Sequence, residues 1–356
     1  MKNNEKFFRI TAVICMTALT CGLLTGCFGN SKSDADTAKK EDTAQASDKA
    51  SSGENTVELS IAHIGALESP SNLAVEHFIE LVEERSGGSI KITNYPASQL
   101  GADRDILEGI VGGTIDMGIP AAGISALYLP EYYIFDAMYM FESEEHLKKV
   151  AEGELGQEIA DKFLDKTGVR VLTQNWERGT RQSIFSKDVE DLPDFAGVKI
   201  RLPEIDSYLK GYELLGAKPT IIAFNETYSS LQQGVVDGME CPLDWIYDNK
   251  FYEVCKNLVM TNHVYSVMTV LINDNKFNTL SDEQKKILEE ASVEAGNYQN
   301  DLLHEKEEEY LKMMKEEGVK VYEPDLKPFR DAVEPMLPDM VNEWGDGLYD
   351  KVMSYK

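Results

Sequence analysis

The sequence predicts an α/β protein of two units with one long helix running along both. Three observations predict it. From Val57 onward, short β-rich runs alternate with stretches of helical periodicity, the pattern of βα units. The 356 residues are enough for two ordinary domains, each with its own core. After Leu280 an apolar periodicity runs towards Gly318. At about 1.5 Å per residue such a helix reaches about 45 Å, longer than one small domain.

Taken in order, Val57-Glu58-Leu59-Ser60-Ile61-Ala62 alternates like a strand. Ser71 to Arg85 carries Leu73, Phe78, Ile79 and Val82 at helical spacing and stops at Gly87-Gly88. Ile90 to Tyr95 reads as a strand, Asp103 to Val111 as a helix and Ile115 to Ile119 as a strand. Helices near Glu144–Ala151 and Leu155–Lys166 precede a strand at Val169–Gln174. This rhythm predicts a largely parallel sheet. The second block repeats it. A strand through Ile200 leads to a helix from Ile205 to Leu215. Asn225 is placed to cap a helix at Glu226–Gln233, and Val235–Glu240 reads as a strand. Pro242 opens a further helix, and Val264–Ile272 is a β-rich run returning towards the first unit. Ser281 and Gln284 fit a capping box at the start of the long helix. The acidic run His304–Glu309 on that helix reads as a solvated face and not as a metal site.

The first 56 residues stand apart from the fold. Lys2, Lys6 and Arg9 precede an apolar run, Ile10 to Leu24, too short for a comfortable membrane span. It ends in Leu24-Thr25-Gly26-Cys27, which resembles a bacterial lipobox. Residues 1–27 are thus expected to be a lipoprotein signal, with Cys27 the lipidated first residue of the mature chain. Residues 28–56 are Ser, Asp, Lys, Ala and Thr with almost no large apolar side chain, a solvated tether. Beyond them only Cys241 and Cys255 remain, too few for a disulfide framework. Two buried free thiols are expected, although the spacing leaves a pairing open.

Composition narrows the function. An apolar fraction of 42% and a charged fraction of 27% are those of a globular protein. The net charge of -27 argues against nucleic acid, which needs a basic surface. It leaves room for a small anion, because surface charge is screened beyond about 8 Å whereas a desolvated arginine acts at contact. The five histidines are scattered, without a zinc helix, nucleophile elbow, phosphate loop or dinucleotide fingerprint. No enzyme activity, cofactor or metal is expected. Arg181 and Arg201 both sit at strand–loop junctions of the α/β pattern, where clefts form. A planar guanidinium holds a carboxylate through two parallel hydrogen bonds. These two residues are the candidate anion clamp, with Trp176 and Trp245 as possible flanks for a ring.

Several separated motifs carry a resemblance. They are Tyr95-Pro96-Ala97-Ser98-Gln99-Leu100-Gly101, Gly197 to Pro203, Leu231 to Gly238, Thr261-Asn262-His263 and the long helix after Leu280. From Val57 to about Val341 the chain resembles the DctP-type solute-binding proteins of tripartite ATP-independent periplasmic (TRAP) transporters. The resemblance implies a two-lobed periplasmic-binding-protein-like fold closing on an organic acid, a C4-dicarboxylate or a sugar acid such as a uronate. Lobe I is expected at residues 57–178 with about 267–306, and lobe II at 179–266 with about 307–356. The family's carboxylate-binding arginine falls on Arg201, its second ligand-facing arginine on Arg181, and a position that contacts ligand in some members on Asp103. Glu177 and Arg178 are further candidates for ligand-specific contacts, as is Cys241, which stands where many members carry asparagine. A thiol cannot replace both the donor and the acceptor of an amide. The sialic-acid branch places a glutamate near Ala121, which offers no polar group. The implied partners are integral-membrane permease subunits, and the implied location is outside the cell membrane. The alternatives are a binding protein of an ATP-driven importer, a sensing subunit of a receptor, or an exported enzyme.

Overall fold

Two strands of 17 residues each, β4 (Val169–Phe185) and β8 (Asn257–Asn273), pair antiparallel and form the spine of the molecule. At about 3.3 Å per residue each extends about 55 Å, further than one small domain. The computed structural model describes residues 56–356. The expected signal, Cys27 and the tether as far as Asn55 lie outside the described residues.

The other strands gather at the two ends of this spine. β1 (Val57–Ala62), β2 (Ile90–Tyr95) and β3 (Met117–Gly118) attach at one end, where Met117 and Gly118 pair with Ile272 and Leu271. β5 (Lys199–Leu202), β6 (Lys218–Ile221) and β7 (Gly238–Pro242) attach at the other, through Arg181–Phe185. β9 (Lys320–Tyr322) adds to the Asn257–Val259 end of β8. The sheet order is β2-β1-β3-β8-β4-β7-β5-β6, with β9 beside β8. The two lobes therefore share one sheet.

That sheet is mixed and not largely parallel. Pairings within each lobe's βα units are parallel, but both long strands bind their neighbours β3 and β7 antiparallel. Side-chain alternation has the same period in both directions, so the pattern could not distinguish them. β4 continues eleven residues past Gln174 to Phe185. The alternation expected of a strand breaks where β4 is bulged, with register shifts at Val171/Thr173, Thr173/Trp176, Glu177/Thr180 and Arg181/Ser183. The Ile115–Ile119 strand shrinks to Met117–Gly118, and that of Val235–Glu240 shifts to Gly238–Pro242. Asn225 caps nothing, because a 3₁₀ turn over Phe224–Glu226 precedes the helix at Thr227–Gln232.

The long helix runs Asp282–Glu316, 35 residues, from the expected capping box: Ser281 Oγ accepts from the Gln284 amide, and Gln284 Oε1 accepts from the Ser281 amide. It packs on the Pro70–Arg85 helix, on β4 and on the Leu243–Asp248 helix, and so spans both lobes. Against β4 it supplies hydrogen bonds that a bulged strand cannot find in its own ladder. Gln299 Nε2 donates to the Glu177 carbonyl at 2.5 Å and Asn300 Nδ2 to the Asn175 carbonyl at 2.9 Å, while Asn300 Oδ1 accepts from the Glu177 amide at 2.9 Å. The Trp176 indole N–H donates to the Ser292 carbonyl at 2.9 Å.

Gly296 permits this close approach. A Cβ there would collide with the Asn175 side-chain oxygen and stand 2.6 Å from Trp176 Cδ1. Gly296→Ala should therefore destabilise the protein by about 1–3 kcal/mol, although alanine is the better helix former. Urea unfolding checks this; an increase in stability would mean that the helix–strand contact yields easily.

Candidate functional site

Three arginines converge where the lobes meet. Arg178 and Arg181 come from β4, Arg201 from β5, and they are 5%, 1% and 3% exposed. Residues three apart in a regular strand face opposite sides. Here the pairs Glu177–Val267 and Thr180–Tyr265 leave Arg178 and Gly179 opposite the single residue Ser266. That extra residue restores the phase, so that Arg178 and Arg181 share a face. Gly179 takes the left-handed conformation at φ +77° that the bulge requires. Arg201 is close enough to be influenced by both of the others.

Aromatic rings support each guanidinium. Arg178 lies over Trp245 at 5.2 Å, Arg181 over Tyr208 at 5.4 Å and Arg201 over Phe224 at 5.8 Å. Their polar partners differ. Arg181 is clamped by Glu240 of β7, with Nε to Oε2 at 2.5 Å and Nη2 to Oε1 at 2.8 Å. His263 Nε2 lies 3.2 Å from the same Oε2, and its Nδ1 lies 2.8 Å from Thr261 Oγ1. A neutral imidazole fits both contacts, with Nε2–H donating to Glu240 and Nδ1 accepting from the hydroxyl. Arg201 donates Nε to the Ile222 carbonyl at 2.8 Å. Neither Arg178 nor Arg201 has an ion pair among the described residues. Arg178 Nε and Arg181 Nη1 are buried without a hydrogen-bond partner among the described residues.

Asp103 faces the same cluster from the first turn of the Asp103–Val111 helix, and its buried Oδ1 likewise lacks a partner. The loop before it is fixed by two non-glycine residues in left-handed conformation, Ala97 at φ 51° and Ser98 at φ 59°. Their amides bond the Gly65 and His63 carbonyls. Backbone strain of this kind persists where the surroundings over-determine it. Asp136 completes the acidic side, accepting from the Gly123 amide at 2.6 Å and the Tyr208 hydroxyl at 2.7 Å.

Burial and neighbouring charge set the ionisation states. Burial opposes charge on Glu240, but Arg181 and His263 outweigh it and hold the carboxyl down to about 2. Burial, with Arg181 and Arg178 nearby, lowers Arg201 to about 10, still a cation at neutral pH. Burial raises Asp103 and Asp136 above the usual carboxylate range and lowers His263. It also pushes the Cys241 thiol up to about 11, so Cys241 stays neutral and unreactive. Cys241 and Cys255 are both buried free thiols.

The structure brings Arg201, Arg181, Asp103, Cys241 and Arg178 together and places two other candidates apart from them. Trp176 is buried beneath the long helix, its indole N–H held by the Ser292 carbonyl. The Glu177 carboxylate points to His304, 2.9 Å away, and lines a different cavity. Sequence reasoning missed Glu240, Asp136, Tyr208 and His263 as members of the cluster. Signals existed: a glutamate inside the apolar strand Gly238–Pro242, and an aspartate after Tyr132-Tyr133-Ile134-Phe135.

Two lobes joined by shared strands, with cationic side chains buried where they meet, form the architecture of a solute-binding protein. The chain belongs to the bacterial extracellular solute-binding proteins, family 7, the DctP family, whose model matches residues 61–343. It is 34% identical over 291 residues to the sialic acid-binding periplasmic protein SiaP of Vibrio cholerae, covering 82% of this chain and 89% of that protein. It is also 34% identical to the 2,3-diketo-L-gulonate-binding periplasmic protein YiaO of Escherichia coli, covering 76% and 82%. A TRAP periplasmic solute-binding protein of Polaromonas sp. JS666, bound to D-erythronate, superposes with a TM-score of 0.79 at 30% identity, covering 83% and 98%. The chain is thus an extracytoplasmic binding protein of the TRAP type and not an enzyme.

Glu240 gives a pH prediction. Its folded pKa lies below its ordinary value of 4.5, so its stabilisation is complete above that pH and is lost as pH falls towards about 2. The stability difference between the natural protein and Glu240→Gln should shrink over that window. Above it the variant should be about 3–5 kcal/mol less stable, because Arg181 is left buried and unpaired. Denaturant melts at several pH values check this; a difference independent of pH would remove Glu240 from the ionised state.

Proposed function

We propose that this chain is the lipid-anchored receptor of a TRAP permease and that it captures a hydroxylated carboxylic acid, a sugar acid, between its lobes. The observation that carries this reading is the pair of buried guanidinium groups, Arg178 and Arg201, that form no ion pair among the described residues. A desolvated cation without a counter-ion is costly, and a ligand carboxylate relieves that cost. Arg201 anchors the carboxylate and Arg178 supplies the second cation. Arg181 contributes only Nη1, because Glu240 occupies its other nitrogens.

Asp103 supports the choice among acids. Its buried Oδ1 lacks a partner among the described residues. A hydroxyl, which both donates and accepts, satisfies it whether or not burial keeps the carboxyl protonated, whereas the second carboxylate of a C4-dicarboxylate can only accept. Sialic acid, diketogulonate and erythronate, the ligands in the names of the relatives above, are all hydroxylated acids.

Lobe I is assigned to residues 57–178 with about 267–306, and lobe II to 179–266 with about 307–356. Residues 130–146 also pack on the C-terminal segment, as in the Tyr133–Trp344 ring contact and the bond between His146 and the Val352 carbonyl. Closure of the lobes excludes water and strengthens the charged bonds, and the ligand shifts the equilibrium by its preference for the closed state. The lipid on Cys27 and the tether to residue 56 keep the body beside the membrane. The permease subunits receive the acid, and the ion-coupled step is theirs.

Calorimetry of the body from Gly53 against sugar acids and C4-dicarboxylates tests this. A sugar acid should bind more tightly than succinate, and Arg201→Ala should cost about 2–5 kcal/mol, roughly 30-fold or more in Kd. Unchanged affinity in the variant would sink the assignment of Arg201.

A further inference from the structure

A small cavity of about 20 Å³ lies apart from the arginine cluster, lined by Glu144, Glu177, Asp244, Glu307, His304 and Tyr310 among others. Neither lysine nor arginine lines it, so four carboxylates share it with one imidazole. His304 and Glu307, three residues apart on the long helix, both turn towards this space. The run as a whole is exposed, as expected of a solvated face, and these two of its residues border the cavity.

Three of these groups are arranged as ligands. One atom from each of Glu144, Glu177 and His304 lies within 4.8 Å of the other two. His304 Nε2 stands 2.9 Å from Glu177 Oε2 and 3.7 Å from Glu144 Oε2. A tetrahedral ion with bonds of about 2.1 Å spaces its ligands about 3.4 Å apart, between those two values. Asp244 is a separate observation. It lines the same cavity, is 4% exposed and has no ion pair among the described residues. Burial, with Asp248 nearby, raises its carboxyl to about 8 against the opposing pull of the Trp245 amide and Arg178, so a cation in the cavity would favour its ionised form.

We propose that Glu144, Glu177 and His304 bind a divalent cation of the Zn²⁺ class, with its remaining coordination position open to the cavity. One imidazole and two carboxylates form a nitrogen–oxygen donor set that suits such an ion, whereas Mg²⁺ and Ca²⁺ take oxygen ligands almost exclusively. The ligands come from the Glu144–Ala151 helix, the β4 bulge and the long helix. The ion ties these elements together beside Arg178 and does not depend on which acid the arginines hold.

The test uses the chain freed of metal with EDTA and then dialysed. ZnCl2 should bind one ion per chain in calorimetry and raise the melting temperature, with EDTA reversing the rise; MgCl2 should do neither. His304→Ala and Glu177→Gln should each weaken Zn²⁺ binding at least about tenfold, comparable to or above the loss seen when a supporting residue of a metal site is removed. His77→Ala, a change at a histidine outside the cavity, should leave it unchanged. Absence of Zn²⁺ binding, a response to MgCl2 equal to that to ZnCl2, or full binding by His304→Ala would each overturn the proposal.

Discussion

Between Glu177 and Thr180, β4 carries two residues opposite one residue of β8, and the site depends on that irregularity. Without it Arg178 and Arg181 would lie on opposite faces of the sheet, one in the cleft and the other against a core with no room for a charge. The long helix sustains the irregularity. Gln299 and Asn300 take up the backbone groups that the bulged strand leaves without ladder partners. Gly296 lets the helix come close enough to do so. The same feature that joins the two lobes thus sets the direction of their charges.

Electrostatics at the site is local. The chain carries 62 acidic residues against 35 basic ones, yet two buried guanidinium groups have no ion pair among the described residues. A third, Arg181, is neutralised by Glu240 and acts mainly to fix geometry, with one nitrogen left free. Division of labour among residues of one type follows from their partners and not from their identity. Clamping one arginine within the protein also keeps the cluster from carrying three uncompensated charges in a desolvated space.

Much of this was legible in the sequence, for identifiable reasons. Asp103–Val111 and the capping box at Ser281 were readable because helix termini have local chemistry. The strand that carries Arg201 was readable because it is short, regular and closed by Pro203. The extent of β4 was not, since a bulged strand loses its alternation where function requires the bulge. The lone glycine in Arg178-Gly179-Thr180-Arg181 was the available signal for it. The clamping of Arg181 by Glu240 joins residues 59 apart and leaves no trace in spacing. The burial of Trp176 beneath the long helix left no sequence signal either, because a large aromatic packs a scaffold as readily as it flanks a ligand.

The most direct test of the central claim is a crystal structure of the protein with a tightly bound sugar acid. The account predicts the ligand carboxylate within hydrogen-bond distance of Arg201 and Arg178, about 2.7–3.2 Å, with Glu240 still on Arg181 and a ligand hydroxyl donating to Asp103. A carboxylate held by Arg181 in place of Glu240, or a ligand away from all three arginines, would contradict it.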